Sequence, residues 1–310
     1  MKHTAIRTSL LIVLAAQISF TCAFSHAEPR CPSGLPDLHP RLVAGALLVV
    51  PVMVNGSGPY DFIVDTGSQL NVVDPSLASE LNLQSQAHVG LITTASVKEA
   101  SVAVMDSLQA GPYAIQHPFA AVQDLGMLQA ADPRIRGVLG ENFLGHFDLL
   151  IDYRRKLLCF DESGAIGKDL RWERIPFVLS SHADPDVPFA ERLVISVRLS
   201  HIGARPILLQ IDSGSDGPIL FRGAKELEKF LLRRATLQAP NVGEARRPFA
   251  PLPPQDMKLG NRTVRGVPFV TPSSPAMNRS DREEDGVLAT ALFGRVYISH
   301  SSRYISFDLK

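Results

Sequence analysis

The chain has 310 residues, 45% hydrophobic and 20% charged, with 31 Lys and Arg against 31 Asp and Glu. At roughly 100–200 residues per domain this is one large domain or two small ones, with enough apolar side chains to bury a core and rule out wholesale disorder. A formal charge of zero argues against nucleic acid as a partner, because binding phosphates needs a basic surface.

In chain order, Lys2, His3 and Arg7 precede an apolar run, Leu10 to Ile18, and small and polar residues lead to Ser25-His26-Ala27. That is the layout of a secretory signal peptide over residues 1–27, cleaved after Ala27. The run is too short to span a bilayer comfortably, and Ser19-Phe20-Thr21 before Cys22 is too bulky and polar for a lipid-attachment site. The mature chain is expected to be periplasmic or secreted, with no stable membrane span and a charge of 29 − 31 = −2. Cys31 and Cys159 remain. In an oxidising compartment they can close a disulfide or stay as two thiols, and the sequence leaves both open.

After an N-terminal tail, 28–41, an apolar run from Leu47 to Val54 predicts a strand. A turn over Asn55-Gly56-Ser57-Gly58-Pro59 follows, and a second strand, Phe62-Ile63-Val64, ends in Asp65-Thr66-Gly67-Ser68. A short helix is expected from Asp74-Pro75, with Asp as cap and Pro in the first turn. In the second half, Leu193 to Leu199 and Ile207 to Ile211 are strands, and the latter ends in Asp212-Ser213-Gly214-Ser215. A second helix is expected over Arg222 to Arg234, where Leu227, Phe230 and Leu231 fall at helical spacing.

The two halves repeat. The aspartates are offset by 212 − 65 = 147. Gly137-Val138-Leu139-Gly140 matches Gly286-Val287-Leu288-Ala289 at 286 − 137 = 149, and Phe160-Asp161 matches Phe307-Asp308 at 307 − 160 = 147. The division expected is lobe 1 at 42–162, a linker at 163–189 that reads as exposed around Ser180 to Pro188, and lobe 2 at 190–310. The fold class is all-β: two similar β-barrel lobes with short helices, related by a pseudo-twofold, with a cleft between them.

One Asp-Thr/Ser-Gly triplet is an ordinary turn. Two copies, each after an apolar strand at the same place in a repeat, put two carboxylates face to face on the pseudo-twofold. Carboxylates a few ångströms apart cannot both ionise and share one proton. The ionised one can take a proton from water while the other donates to a carbonyl oxygen. Asp65 and Asp212 are the candidate catalytic residues. Gly67 and Gly214 permit the tight turn, Thr66 and Ser213 can brace the two turns across the axis, and Ser68 and Ser215 are expected to donate their hydroxyls to the carboxylates. No metal-binding spacing, G-x-S-x-G elbow or phosphate loop is present, so neither metal nor cofactor is expected.

These motifs resemble the retropepsin-like branch of the aspartic protease superfamily, in a fused, bacterial-looking two-lobe form. The resemblance rests on Phe62 to Ser68 with Val138-Leu139-Gly140, and on Leu209 to Ser215 with Val287-Leu288-Ala289. It implies an aspartic endopeptidase, monomeric as a pseudo-dimer, acting on peptide or protein substrates. It also implies that Phe143 to Asp161 is a closing hairpin. The chain departs from the family at Ala289, where a glycine is usual, and at 88–106, where the flap has no Tyr and only Gly90. The stretch between Ala27 and the first strand is too short for a pepsin-type inhibitory propeptide. The competing reading is a non-proteolytic envelope protein that binds ligands in the cleft of a repurposed protease fold.

Overall fold

A computed structural model describes residues 29–92, 97–178, 189–200, 202, 205–221, 249–273 and 283–309. The expected signal peptide, the Ser180 to Pro188 connector and the Arg222 to Arg234 helix lie outside the described residues. No helix among the described residues is long and apolar enough to cross a membrane.

The structure is mostly β. Strands Leu47–Val54 and Ser57–Val64 pair antiparallel through Asn55-Gly56, with Val54 opposite Ser57. Both turn residues have positive φ, 51° and 75°, the backbone that matches a two-residue turn to the twist of its strands. The turn is thus two residues long, shorter than the five-residue segment expected. Strand Ile135–Leu139 lies parallel to Ser57–Val64 and antiparallel to Asn71–Val73. The second half repeats this arrangement: Gly286–Ala289 lies parallel to Ile207–Asp212 and antiparallel to Ile219–Leu220. Each half thereby places its aspartate at the end of a strand clamped between two others, in sheets of ten and eight strands.

A third sheet draws on both halves. Its five strands include the hairpin Asp148–Asp152 with Leu157–Asp161, the hairpin Arg295–Ser299 with Tyr304–Phe307, and Ile175–Pro176. The two hairpins meet antiparallel, with Leu149 opposite Ile298 and Ile151 opposite Val296. Apolar side chains from all three sheets share one large core, and Phe62, Val64, Leu139, Phe143, Ile211, Leu288 and Phe293 all belong to it.

The expected helix is Pro75–Glu80, capped by the Asp74 carboxylate accepting from the Leu77 amide at 2.9 Å. Three further short helices, Gly126–Ala131, Glu141–Leu144 and Ala165–Asp169, add to the reading of the chain as strands with two helices. The stretch 163–178 is not a bare connector: Ile166 is buried, and Ile175 pairs with Ile305 in the third sheet. Residues 88–106, which carry no recognisable flap sequence, contribute to the hairpin Ser85–Ile92 with Val97–Val104 at the edge of the ten-stranded sheet.

Cys31 and Cys159 form a disulfide across 128 residues of sequence. The tail that carries Cys31 also bridges to the lobe through Leu38, whose amide donates to the Leu158 carbonyl at 3.1 Å. Closing so long a loop restricts the unfolded chain strongly. Replacing both cysteines by alanine is expected to lower unfolding free energy by about 2–4 kcal/mol, measured by urea denaturation of the unreduced proteins. A loss under about 1 kcal/mol would mean that the tail is held without the bridge.

Candidate active site

The two Asp-Thr/Ser-Gly-Ser turns meet at the centre of the molecule. The grip between them is reciprocal. The Thr66 amide donates to Ser213 Oγ and the Ser213 amide to Thr66 Oγ1, both at 3.1 Å. Thr66 Oγ1 in turn donates to the Ile211 carbonyl at 3.2 Å, and Ser213 Oγ to the Val64 carbonyl at 2.8 Å. Thr66 and Ser213 are fully buried, so each hydroxyl's donor and acceptor roles are used inside the protein. A valine or alanine there would strand two backbone groups on the opposite half.

The glycines bring the backbones close. The Gly67 amide donates to Asp65 Oδ1 at 2.8 Å, and the Gly214 amide to Asp212 Oδ1 at 2.7 Å. A Cβ on Gly67 would lie 2.5 Å from the Asp212 carboxyl carbon, and one on Gly214 2.6 Å from both Asp65 carboxyl oxygens. Each turn thus packs against the carboxylate of the other.

The Asp65 and Asp212 carboxyls interact directly, each lying against the turn glycine of the other half. Burial lifts the Asp212 carboxyl well above the ordinary carboxylate range, and the adjacent Asp65 charge and the bond Asp212 makes to Asp65 lift it further. Burial also raises Asp65, against the bond from Asp212 and the amides of Gly67, Ser68 and Gly214, which favour its ionised form. The two carboxyls titrate together, so the proton they share belongs to the pair.

The serines act differently from the expectation. Ser68 Oγ donates to the Leu70 carbonyl and Ser215 Oγ to the Gly217 carbonyl, both at 2.7 Å. The backbone amides of Ser68 and Ser215 are what favour the ionised carboxylates, while the hydroxyls tighten the turns. A Ser68→Ala, Ser215→Ala double variant is therefore expected to keep the acid limb of its pH–rate profile within about 0.3 units of the parent, because no donor to the carboxylates is lost. A larger shift would return the hydroxyls to the dyad.

Beneath the turns the halves diverge. A Cβ on Gly140 would meet the Leu70 carbonyl carbon at 2.5 Å, so this position requires glycine. The Gly140 amide donates to Asn71 Oδ1 at 3.0 Å, and the Asn71 amide to Asn142 Oδ1 at 2.6 Å. At the same offsets the second half has Ala289, Pro218 and Ala291. It has exchanged this polar clamp for apolar packing, and Ala289 is fully buried while still paired opposite Asp212. The departure at Ala289 thus leaves the aspartate on the same framework.

Other residues at the site were not anticipated. Gln210 donates from Nε2 to the Gly67 carbonyl at 2.9 Å. Gln69, two residues past Gly67, donates to the Ala190 carbonyl at 2.6 Å and accepts from Arg192, which pairs with buried Glu284 at 2.8 Å. Glu141 pairs with His300, and Tyr153 with Thr290. Aligning the halves at the offsets 147 and 149 brings Tyr153 onto His300 and Glu141 onto Thr290, a signal available without coordinates. Among the described residues, no three His, Cys, Asp or Glu side chains gather as a metal site.

A sequence model of the aspartyl protease family matches residues 50–143. No curated protein matches the chain significantly. Among solved structures, a retropepsin-like aspartic protease from Rickettsia conorii is 19% identical at a TM-score of 0.30, covering 41% of this chain and 90% of that one. Basic 7S globulin from soybean is 10% identical at a TM-score of 0.49, covering 89% of this chain and 94% of that one.

Proposed function

We propose, taking the chain as a retropepsin-like aspartic protease from its aspartyl protease match over residues 50–143, that it is an endopeptidase in which Asp65 and Asp212 activate water. The observation that carries this reading is that each carboxyl lies against the turn glycine of the other half, with the two turns held by a reciprocal Thr66–Ser213 grip. Ionised Asp65 accepts a proton from the attacking water as its oxygen bonds to the scissile carbonyl carbon. Protonated Asp212 donates to the carbonyl oxygen, giving a neutral gem-diol; the proton on Asp65 then passes to the departing amine as the C–N bond breaks, and a gem-diol hydroxyl returns its proton to Asp212, leaving the carboxylic acid product and the one-proton pair. Shared-proton carboxylate pairs are the established logic of aspartic proteases.

Both carboxylates come from one chain, which supports a monomeric pseudo-dimer, and the basic, apolar N-terminus supports export. Activity requires one proton on the pair, so it falls on the acid side when both carboxyls are protonated and on the alkaline side when both ionise. The raised Asp212 carboxyl pushes the alkaline limb above the ordinary carboxylate range. The test is cleavage of a peptide library by the mature protein across about pH 3–7, with Asp65→Asn as control. Cleavage with a bell-shaped profile, absent in the control, is the expected result. Peptide binding without cleavage at any pH would favour the cleft-binding reading instead.

A further inference from the structure

Two side-chain pairs cross between the halves behind the dyad. Glu141 follows Gly140 as Thr290 follows Ala289, offset 290 − 141 = 149, and Tyr153 follows strand Asp148–Asp152 as His300 follows Arg295–Ser299, offset 300 − 153 = 147. Tyr153 Oη lies 2.6 Å from Thr290 Oγ1, and His300 Nε2 lies 2.8 Å from Glu141 Oε2. The pairs are mates under the approximate twofold that relates the aspartates. One is neutral and the other ionisable, so among the described residues these two pairs put an ionisable partner on just one flank of the dyad.

The chemistry of the ionisable pair is constrained. His300 Nδ1 lies 2.5 Å from the Phe147 carbonyl, which only accepts, so Nδ1 carries a hydrogen. The contact to Glu141 then holds one more proton, and the pair as a whole is neutral. Glu141 is 3% exposed, and its Oε1 has no hydrogen-bond partner among the described residues. A buried carboxylate oxygen left without a donor costs stability, so packing does not account for it. The Glu141 amide donates to the Ser68 carbonyl at 2.8 Å, which ties the residue to the turn of Asp65. Burial raises the Glu141 carboxyl, His300 opposes that rise and Asp65 adds to it, while the ionisable groups that act on His300 are Glu141 and Asp148. Asp148 is itself held by the hydroxyls of Tyr297, Ser299 and Ser301. On the other flank, the Tyr153 hydroxyl is raised chiefly by burial, and the charges of Asp212 and Asp65 add to that rise.

We propose that Glu141, paired with His300, is a positioning residue whose charge acts on Asp65 and moves the active window of the dyad toward neutral pH. A negative neighbour raises the proton affinity of a carboxylate. The Glu141 amide is bonded to the Ser68 carbonyl of the Asp65 turn while His300 is anchored on the Phe147 carbonyl, so it is the carboxylate end of the neutral pair that is attached to that turn. Since the two aspartates titrate together, both limbs of the profile move. The proposal rests on the catalytic reading above.

Glu141→Gln keeps the shape and the contact to His300 while removing the charge. It is expected to shift both limbs of the pH–rate profile to lower pH by about half a unit or more, while Thr290→Val on the neutral flank leaves both in place. Limbs that stay put or move upward in Glu141→Gln overturn the proposal. A second measurement needs neither turnover nor that variant: NMR titration of the His300 ring in the wild type and in Asp65→Asn. Linkage is reciprocal, so removing the Asp65 charge should lower the titration midpoints of the Glu141–His300 pair by a similar amount. Unchanged midpoints overturn the coupling. Absence of peptide cleavage would instead overturn the proposed function, and the titration would still decide this inference.

Discussion

Asp65→Asn and Asp212→Asn are each expected to reduce kcat/KM for peptide hydrolysis by at least about 1,000-fold, since each removes one partner of a concerted proton transfer. Neither loss should come from unfolding. Asparagine keeps the size of aspartate, and its Oδ1 can still accept from the Gly67 or Gly214 amide that now bonds the carboxylate. The stability signature differs from the activity signature. The Asp212 carboxyl is raised well above its ordinary 3.8 on folding, chiefly by burial. A group that binds its proton more tightly when folded loses stabilisation as pH rises from the unfolded value through the folded one. The wild type therefore carries that cost at neutral pH and Asp212→Asn does not. The variant should be at least as stable as the parent at neutral pH, and this advantage should vanish below about pH 3.8. Thermal melts at neutral and acid pH, run beside the peptide assay, separate the two effects. An active Asp212→Asn would remove the dyad from the mechanism.

How far the sequence was legible depended on whether a feature was local. The Asp65 and Asp212 turns, the strands before them and the Asp74 cap are written in contiguous residues, and they appear where the pattern put them. The repeat made the pseudo-twofold readable, because nearly constant offsets of 147 to 149 at successive landmarks require the same chain path twice. The third sheet was not readable: Leu149 opposite Ile298 joins strands far apart in the chain, and local periodicity records no partner. The helix Glu141–Leu144 is four residues, barely more than one turn, too short to show an amphipathic period. Ser68 and Ser215 went astray for another reason. A hydroxyl beside a carboxylate in sequence can also reach a carbonyl two residues on, as serine commonly does in turns, and only the geometry decides between them.

The unequal supports under the two aspartates follow from what contact across the axis requires to be equal. The grip needs Thr66 and Ser213 on both sides, because each hydroxyl serves an amide on the opposite half. Gly67 and Gly214 are likewise fixed by the opposing carboxylate. Outside that shell only the strand ends must stay in register. Asn71 with Gly140 in one half and Pro218 with Ala289 in the other both preserve it, as the parallel pairings Leu139 to Val64 and Ala289 to Asp212 show. Symmetry thus ends where contact across the axis ends. Beyond that line the halves are free to carry different charges, as Glu141 and Thr290 do.

Gly67→Ala and Gly214→Ala are expected to cost about 100-fold or more in kcat/KM, which is the scale of a 1 Å misplacement of reacting groups. The new methyl of Gly67→Ala would sit 2.5 Å from the Asp212 carboxyl carbon, with the carboxylate oxygens at 2.7 and 2.9 Å. Ordinary contact begins near 3.4 Å, so something must move by close to an ångström. The turn cannot yield easily, because Thr66 beside it is fully buried and bonded to the opposite half through both its amide and its hydroxyl. The Gly67 carbonyl is also held, by Gln210. The Asp212 carboxylate is the softer element, and its displacement breaks the bond to Asp65. The loss should therefore appear mainly in kcat, with KM little changed, because the damage falls on the dyad rather than on the cleft. Gly90→Ala is the control, since a Cβ there meets nothing within 4 Å, and it should leave kcat near the parent value. A Gly67→Ala enzyme with unaltered kcat would mean that the turn has slack that the hydrogen bonds around it do not reveal.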